Sequence, residues 1–167
     1  MQSSFRRDMI DLVPRLRRFA YSLTNSRADA DDLVQAACER ALRNEDAFRA
    51  GTRMDSWMYR IIQNLWIDDR RRARTRGPEV DADDVPLSDR GKAAAAPSDR
   101  LMLSAVHAAM AALPDEQRAV LSLVAIEGLS YREASEALDV PIGTVMSRLA
   151  RAREKLAPLA ASEGPMQ

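Results

Sequence analysis

Hydroxyl and guanidinium groups recur at helical spacing near the end of the chain, in LSYREASEALDVPIGTVMSRLARAREKL, Leu129 to Leu156. Thr144, Ser147, Arg148, Arg151 and Lys155 fall to one side of a stripe made by Ile142, Val145, Leu149, Ala152 and Leu156. Short hydroxyls at the start of a helix and arginines further along suit insertion into a DNA groove. There, arginine binds guanine in bidentate fashion and hydroxyls accept or donate to base edges. A second set lies in the first half, where Arg60, Asn64, Ile67 and Arg71 share one side of a helix that ends in a run of arginines from Arg70 to Arg76. Arg49, Arg53, Trp57 and Trp66 stand close to it in sequence. Guanidinium, amide and indole groups are what single-stranded nucleic acid requires: phosphate neutralisation plus stacking or edge contacts to unstacked bases. Trp57 is assigned mainly to the core, since it lies beside the apolar side of its helix. A third set, Asp32, Gln35 and Glu39, faces outward from a helix that opens on acids, and capping and contact with a partner helix explain it equally well.

These groups need helices to position them. Ser130 is expected to cap one helix and Glu133 to complete a capping box. Asp139-Val140-Pro141 then breaks that helix, with Pro141 suited to the first turn of the next. Earlier helices are expected over Phe5–Thr24, interrupted or started near Pro14, then from Asp29 or Asp31 to Arg43, and from Asp55 to Arg74. Asn44 to Arg53 reads as a polar loop. From Gly77 to Asp99 periodicity fails amid prolines, clustered acids and an alanine run, so a flexible acidic linker is expected. Helical spacing resumes over Leu101–Leu113, Asp115–Glu127, Ser130–Leu138 and Ile142–Leu159. The expectation is an all-α chain of two small helical bundles, residues 1–76 and 100–159, joined by a linker over 77–99 and ending in a frayed tail over 160–167.

Composition agrees with this scheme. The 167 residues fit one domain or two small ones, and scarce glycine and aromatics favour helix over sheet. Formal net charge is zero, which taken alone argues against a nucleic-acid binder. The distribution matters more than the total: residues 1–77 hold 16 Arg against 11 acids, while residues 78–99 hold 6 acids against 2 bases. With one cysteine (Cys38) and one histidine (His107), no intrachain disulfide forms and no metal site is expected. Cys38 is expected as a packed thiol. These counts and the lack of a glycine-rich phosphate loop point away from an enzyme, so neither catalytic residues nor cofactors are expected. No apolar run reaches spanning length and no signal-type segment follows the N-terminal arginines, so the expected location is cytoplasmic, without membrane insertion.

Three segments, RADADDLVQAACERAL, GTRMDSWMYRIIQNLWIDDRRR and LPDEQRAVLSLVAIEGLSYREASEALDVPIGTVMSRLARAREKL, resemble bacterial sigma factors of the extracytoplasmic-function type in order, spacing and chain length. The resemblance spans nearly everything but the linker and tail. It implies a front domain that binds core RNA polymerase through Asp31, Asp32 and Gln35. That domain would capture the melted −10 promoter strand with Arg53, Arg60, Asn64 and Arg71, the loop 44–53 cradling a flipped base. It implies a back domain reading the −35 element with Thr144, Ser147, Arg148 and Arg151, with Arg132 on a phosphate. An anti-sigma factor and promoters answering stress or other signals are implied as well. In this pattern the linker acids Glu79, Asp81, Asp83 and Asp84 stand either as an RNA mimic or as plain solubilising charge. Ala36 departs from the glutamate common after Gln35, and Met146 and Ala150 replace a basic and a larger side chain. Two rivals are a free-standing helix-turn-helix regulator, which leaves the arginine–asparagine–tryptophan helix without a role, and a sigma mimic that sequesters an anti-sigma partner.

Overall fold

The computed structural model describes residues 2–76 and 97–161, all of whose regular structure is helical. The linker acids and most of the expected linker lie outside the described residues, as do the last six residues of the tail. Helix α1 spans Gln2–Thr24 and runs through Pro14 without a break. An interior proline removes one helical hydrogen bond. Burial of Leu16, Phe19, Ala20 and Leu23, all fully inaccessible, offsets that loss and overrides the interruption the sequence suggested. Asn25, in the left-handed region at φ 55°, ends α1. Ser26 then caps α2 (Arg27–Arg43), its hydroxyl accepting from the Asp29 N–H, so the helix begins before the acids that were expected to open it.

A short 3-10 turn, Glu45–Ala47, leads into α3 (Met54–Thr75), whose Met58, Ile62 and Trp66 pack into the core. α1, α2 and α3 form the first bundle. α4 (Pro97–Ala112) starts inside the range expected as linker. α5 (Asp115–Leu121) does not stay α-helical to Glu127: Ser122–Ile126 form a π-helical turn, closed by the Glu127 N–H on the Ser122 carbonyl at 3.0 Å. Gly128 supplies the left-handed φ of 74° that stops it, with the Leu129 N–H returning to the Leu123 carbonyl. α6 (Tyr131–Leu138) and α7 (Ile142–Ala161) complete the second bundle.

The two bundles are not separate bodies. α1 packs on α4, α5 and the π-helical turn, and α3 packs on α6, so buried residues from both halves join in one apolar cluster. Each half alone offers a small core, and sharing enlarges the apolar area withdrawn from water. Among the described residues, no helix is long and apolar enough to cross a membrane.

Candidate nucleic-acid interface

In the helix-turn-helix, the Ser130 hydroxyl accepts from the Glu133 N–H at 3.1 Å, as a cap should. The reciprocal half of the expected capping box is absent, because the Glu133 carboxylate turns to Arg53 instead. α6 stops at Asp139, which adopts the left-handed conformation (φ 54°, ψ 49°) while the Val140 N–H returns to the Ser135 carbonyl. Aspartate tolerates that conformation better than most side chains. Pro141 therefore lies just outside α7, and its carbonyl accepts from Thr144 and Val145. Val145, Leu149 and Ala152 are buried, as their spacing predicts, and Leu156 packs against the core. Ile142 does not join them: at the open end of the helix it is 47% exposed, beside Met146 at 52%.

The residues expected to read DNA keep largely to the free side. Ser147 and Arg151 are exposed, Thr144 is half-buried, and Arg132 is exposed on α6. Arg148 is more constrained, with its side chain only 22% exposed and its guanidinium 3.6 Å from the Glu116 carboxylate.

In the first bundle, α3 and the loop before it enclose a cleft of about 450 Å³ whose walls include Arg49, Thr52, Arg53, Trp57, Arg60 and Glu136. Phe48 anchors this loop by packing on Phe5 and Trp57, with ring centroids 5.7 and 5.2 Å away. Gly51, at φ 93°, makes its turn. Trp57 is thus both half-buried and cleft-lining. Trp66 offers no stacking surface, contrary to its grouping with exposed arginines: it is 4% exposed, with the guanidinium of Arg118 5.6 Å from its ring centroid and that of Arg70 at 5.7 Å. Asn64 and Arg71 are exposed on α3. Arg70 and Arg74 are drawn to Asp115 at 2.9 and 3.4 Å, which ties part of the arginine run to the second bundle.

Asp55 orders the base of this site. Its buried carboxylate receives Arg53 at 2.6 Å, Arg15 at 3.2 Å and the Ser56 N–H at 2.8 Å. Burial alone raises a carboxyl's pKa. Here the hydrogen bonds from Arg53 and Ser56, with the charges of Arg53 and Arg15, outweigh burial and hold Asp55 below the ordinary aspartate value. On α2, the side chains of Asp31, Asp32 and Gln35 are exposed, so that face is open; Arg17 approaches Asp31 at 3.4 Å. Cys38 is half-buried there, and burial pushes its thiol up.

Two polar groups to which the sequence assigned no role join the bundles. Glu127, its side chain wholly inaccessible, accepts from Arg18 Nε and Nη2, both at 2.8 Å, and from the Tyr59 hydroxyl at 2.9 Å. Burial, together with the Glu127 charge and hydrogen bond, pushes the Tyr59 phenol well above its ordinary value. Arg118, 5% exposed, donates to the carbonyls of Leu23, Ala111 and Leu113, and burial lowers its pKa. A charged residue at either edge of the apolar run 119–126 is the only trace such groups leave in sequence, and it names no partner.

Two family descriptions match: "Sigma-70 region 2" over residues 10–76 and "Sigma-70, region 4" over residues 103–156. Together they place the chain in the sigma-70 family, whose region 2 coincides with the first bundle and region 4 with the second. The chain is 37% identical over 164 residues to the ECF RNA polymerase sigma factor EcfG of Rhodopseudomonas palustris, covering 98% of this chain and 89% of that one. It is 30% identical to SigW of Bacillus subtilis, covering 89% and 85%. Among solved structures, it resembles the sigma factor RpoE of Bartonella quintana, seen in complex with the anti-sigma factor NepR. The TM-score is 0.74 at 30% identity, over 95% of this chain and 97% of that one. It also resembles CnrH, seen with the cytosolic domain of CnrY, with a TM-score of 0.70 at 26% identity over 98% and 92%. The chain belongs to the extracytoplasmic-function (ECF) RNA polymerase sigma factors, which are transcription initiation factors and not enzymes.

Proposed function

We propose that this chain directs core RNA polymerase to a set of signal-responsive promoters by holding two weak DNA contacts at once. In this reading, Asp31, Asp32 and Gln35 dock α2 on the polymerase. Arg53, Arg60, Asn64 and Arg71 then capture the melted −10 strand, with the cleft beside Trp57 receiving an unstacked base. Thr144, Ser147, Arg148 and Arg151 read the −35 major groove, and Arg132 binds a backbone phosphate. The observation that carries it is the presence, on two family-matched units, of a cleft walled by arginine and tryptophan and a helix-turn-helix with an exposed polar face. Each unit alone makes few contacts, so affinity depends on the polymerase fixing both and raising their effective concentration. The solved complexes of RpoE with NepR and of CnrH with CnrY support an anti-sigma partner for this chain too.

The test is promoter-specific transcription with purified core polymerase. Arg151→Ala is expected to lower output through the −35 element. Asn64→Ala is expected to impair opening or −10 choice with duplex −35 binding intact. Unchanged promoter-specific transcription from both variants would overturn the assignment of these helices.

A further inference from the structure

Apolar side chains exposed singly are ordinary on a protein surface, whereas adjoining ones mark a contact. Among the described residues six large apolar side chains are exposed, and Ile142 and Met146 are the one pair a helical turn apart. Neither joins the apolar core that takes Val145, Leu149 and Ala152 from the same helix. Both lie in the opening turns of α7, and the N-terminal residues of a groove-reading helix are those that meet base edges. Successive residues turn by about 100°, which lays Gly143, Ser147 and Ala150, all exposed, along the outermost line of α7. Met146 flanks that line on one side, with Ile142 one turn before it, while Thr144 and Arg151 flank it on the other. The line is open: nothing stands within 4 Å of where a Cβ on Gly143 would lie. Small side chains there let the backbone approach a groove floor, and Met146 projects beyond them.

We propose that Met146, supported by Ile142, is a specificity-determining residue that reads the C5-methyl group of a thymine in the −35 element. The inference rests on the −35 role proposed for α7. In the major groove thymine is the base that presents a methyl group, beside its O4 acceptor. Hydrogen bonds from Ser147 or Arg151 can find the acceptor, but they cannot sense the methyl. An apolar side chain on the same face can. The thioether of methionine is unbranched and polarisable, so it follows the shape of a methyl group. Water leaves both surfaces on contact, which is the source of the gain. The surroundings favour a duplex over a protein as the occupant. Between Ile142 and Leu156 stand four basic side chains, Arg148, Arg151, Arg153 and Lys155, against the single acid Glu154, so the surface around the pair complements a polyanion.

The test uses holoenzyme reconstituted from core polymerase and the full chain, on a promoter that the parent holoenzyme selects from a pool randomised across the −35 segment. Each −35 thymine, on either strand, is replaced in turn by deoxyuridine, which removes the methyl and keeps every hydrogen-bonding atom. Competition binding is expected to show at least one position at which the parent loses about two- to five-fold, the scale of one buried methyl group. At that position Met146→Ala is expected to bind the thymine and uracil promoters equally, and Met146→Leu to retain the preference. Ile10→Ala, an exposed apolar truncation on α1, is expected to leave the preference unchanged. A preference undiminished in Met146→Ala, a parent indifferent to every replacement, or a selected −35 segment without A·T pairs would overturn methyl reading. So would weaker association of Met146→Ala with core polymerase beside an unchanged preference, because the pair would then serve a protein contact. Scrambling the whole −35 segment separates premise from inference. If scrambling leaves parent binding unchanged, the −35 role of α7 falls and the proposal with it. If scrambling weakens binding while deoxyuridine has no effect, only the methyl contact falls.

Discussion

Replacing Arg18 and Glu127 by alanine, singly and together, tests the joint between the two regions. The Glu127 side chain is fully inaccessible while that of Arg18 is 54% exposed, so the pair is neither a surface salt bridge nor a buried one. Exposed ion pairs contribute about 0.2–1 kcal/mol, whereas hydrogen bonds to charged groups contribute about 1.5–3 kcal/mol. Two parallel contacts at 2.8 Å to one buried carboxylate place the expected coupling at about 2 kcal/mol. Glu127→Ala also strips the acceptor from the buried Tyr59 hydroxyl, so its total cost is expected to be about 3–4 kcal/mol. Arg18→Ala is expected to cost less, because Tyr59 still donates to Glu127 and Arg15 lies 3.9 Å away. Urea unfolding of the four chains, with stability taken from midpoint and slope, gives the cycle. A coupling below about 0.5 kcal/mol would refute the view that this carboxylate joins the regions.

Two further outcomes follow from buried charge. Asp55 titrates in the folded chain below an unfolded aspartate, so its contribution is fully present above about pH 4 and is lost as pH falls through the folded value. Asp55→Asn should therefore flatten the acid limb of stability against pH while lowering stability at neutral pH; an unchanged acid limb would contradict the ion-pair geometry. Arg118→Met keeps the bulk but withdraws donors from three carbonyls, and is expected to cost about 3 kcal/mol in urea unfolding. A loss under 1 kcal/mol would show that water replaces the guanidinium.

The helices of both regions were legible because their apolar spacing is long and regular, and residues such as Leu16, Phe19, Val145 and Leu149 were buried as that spacing required. The helix-turn-helix was legible for the added reason that its capping serine and its proline act locally. Local signals also misled. Pro14 suggested a break that core burial overrode, and Trp66 beside arginines suggested a stacking surface where the fold placed it beneath Arg118.

What the sequence determined by itself was the set of helices, the family, and which faces carry hydroxyl, guanidinium and carboxylate groups, since all of these follow from residue type and near-neighbour spacing. Only the tertiary structure decided where those charges end. Glu127 meets Arg18 from 109 positions away and Arg60 meets Glu136 from 76, separations over which no periodicity speaks. The affinity of a charged group for its partner depends on distance and burial, and both are properties of the folded chain.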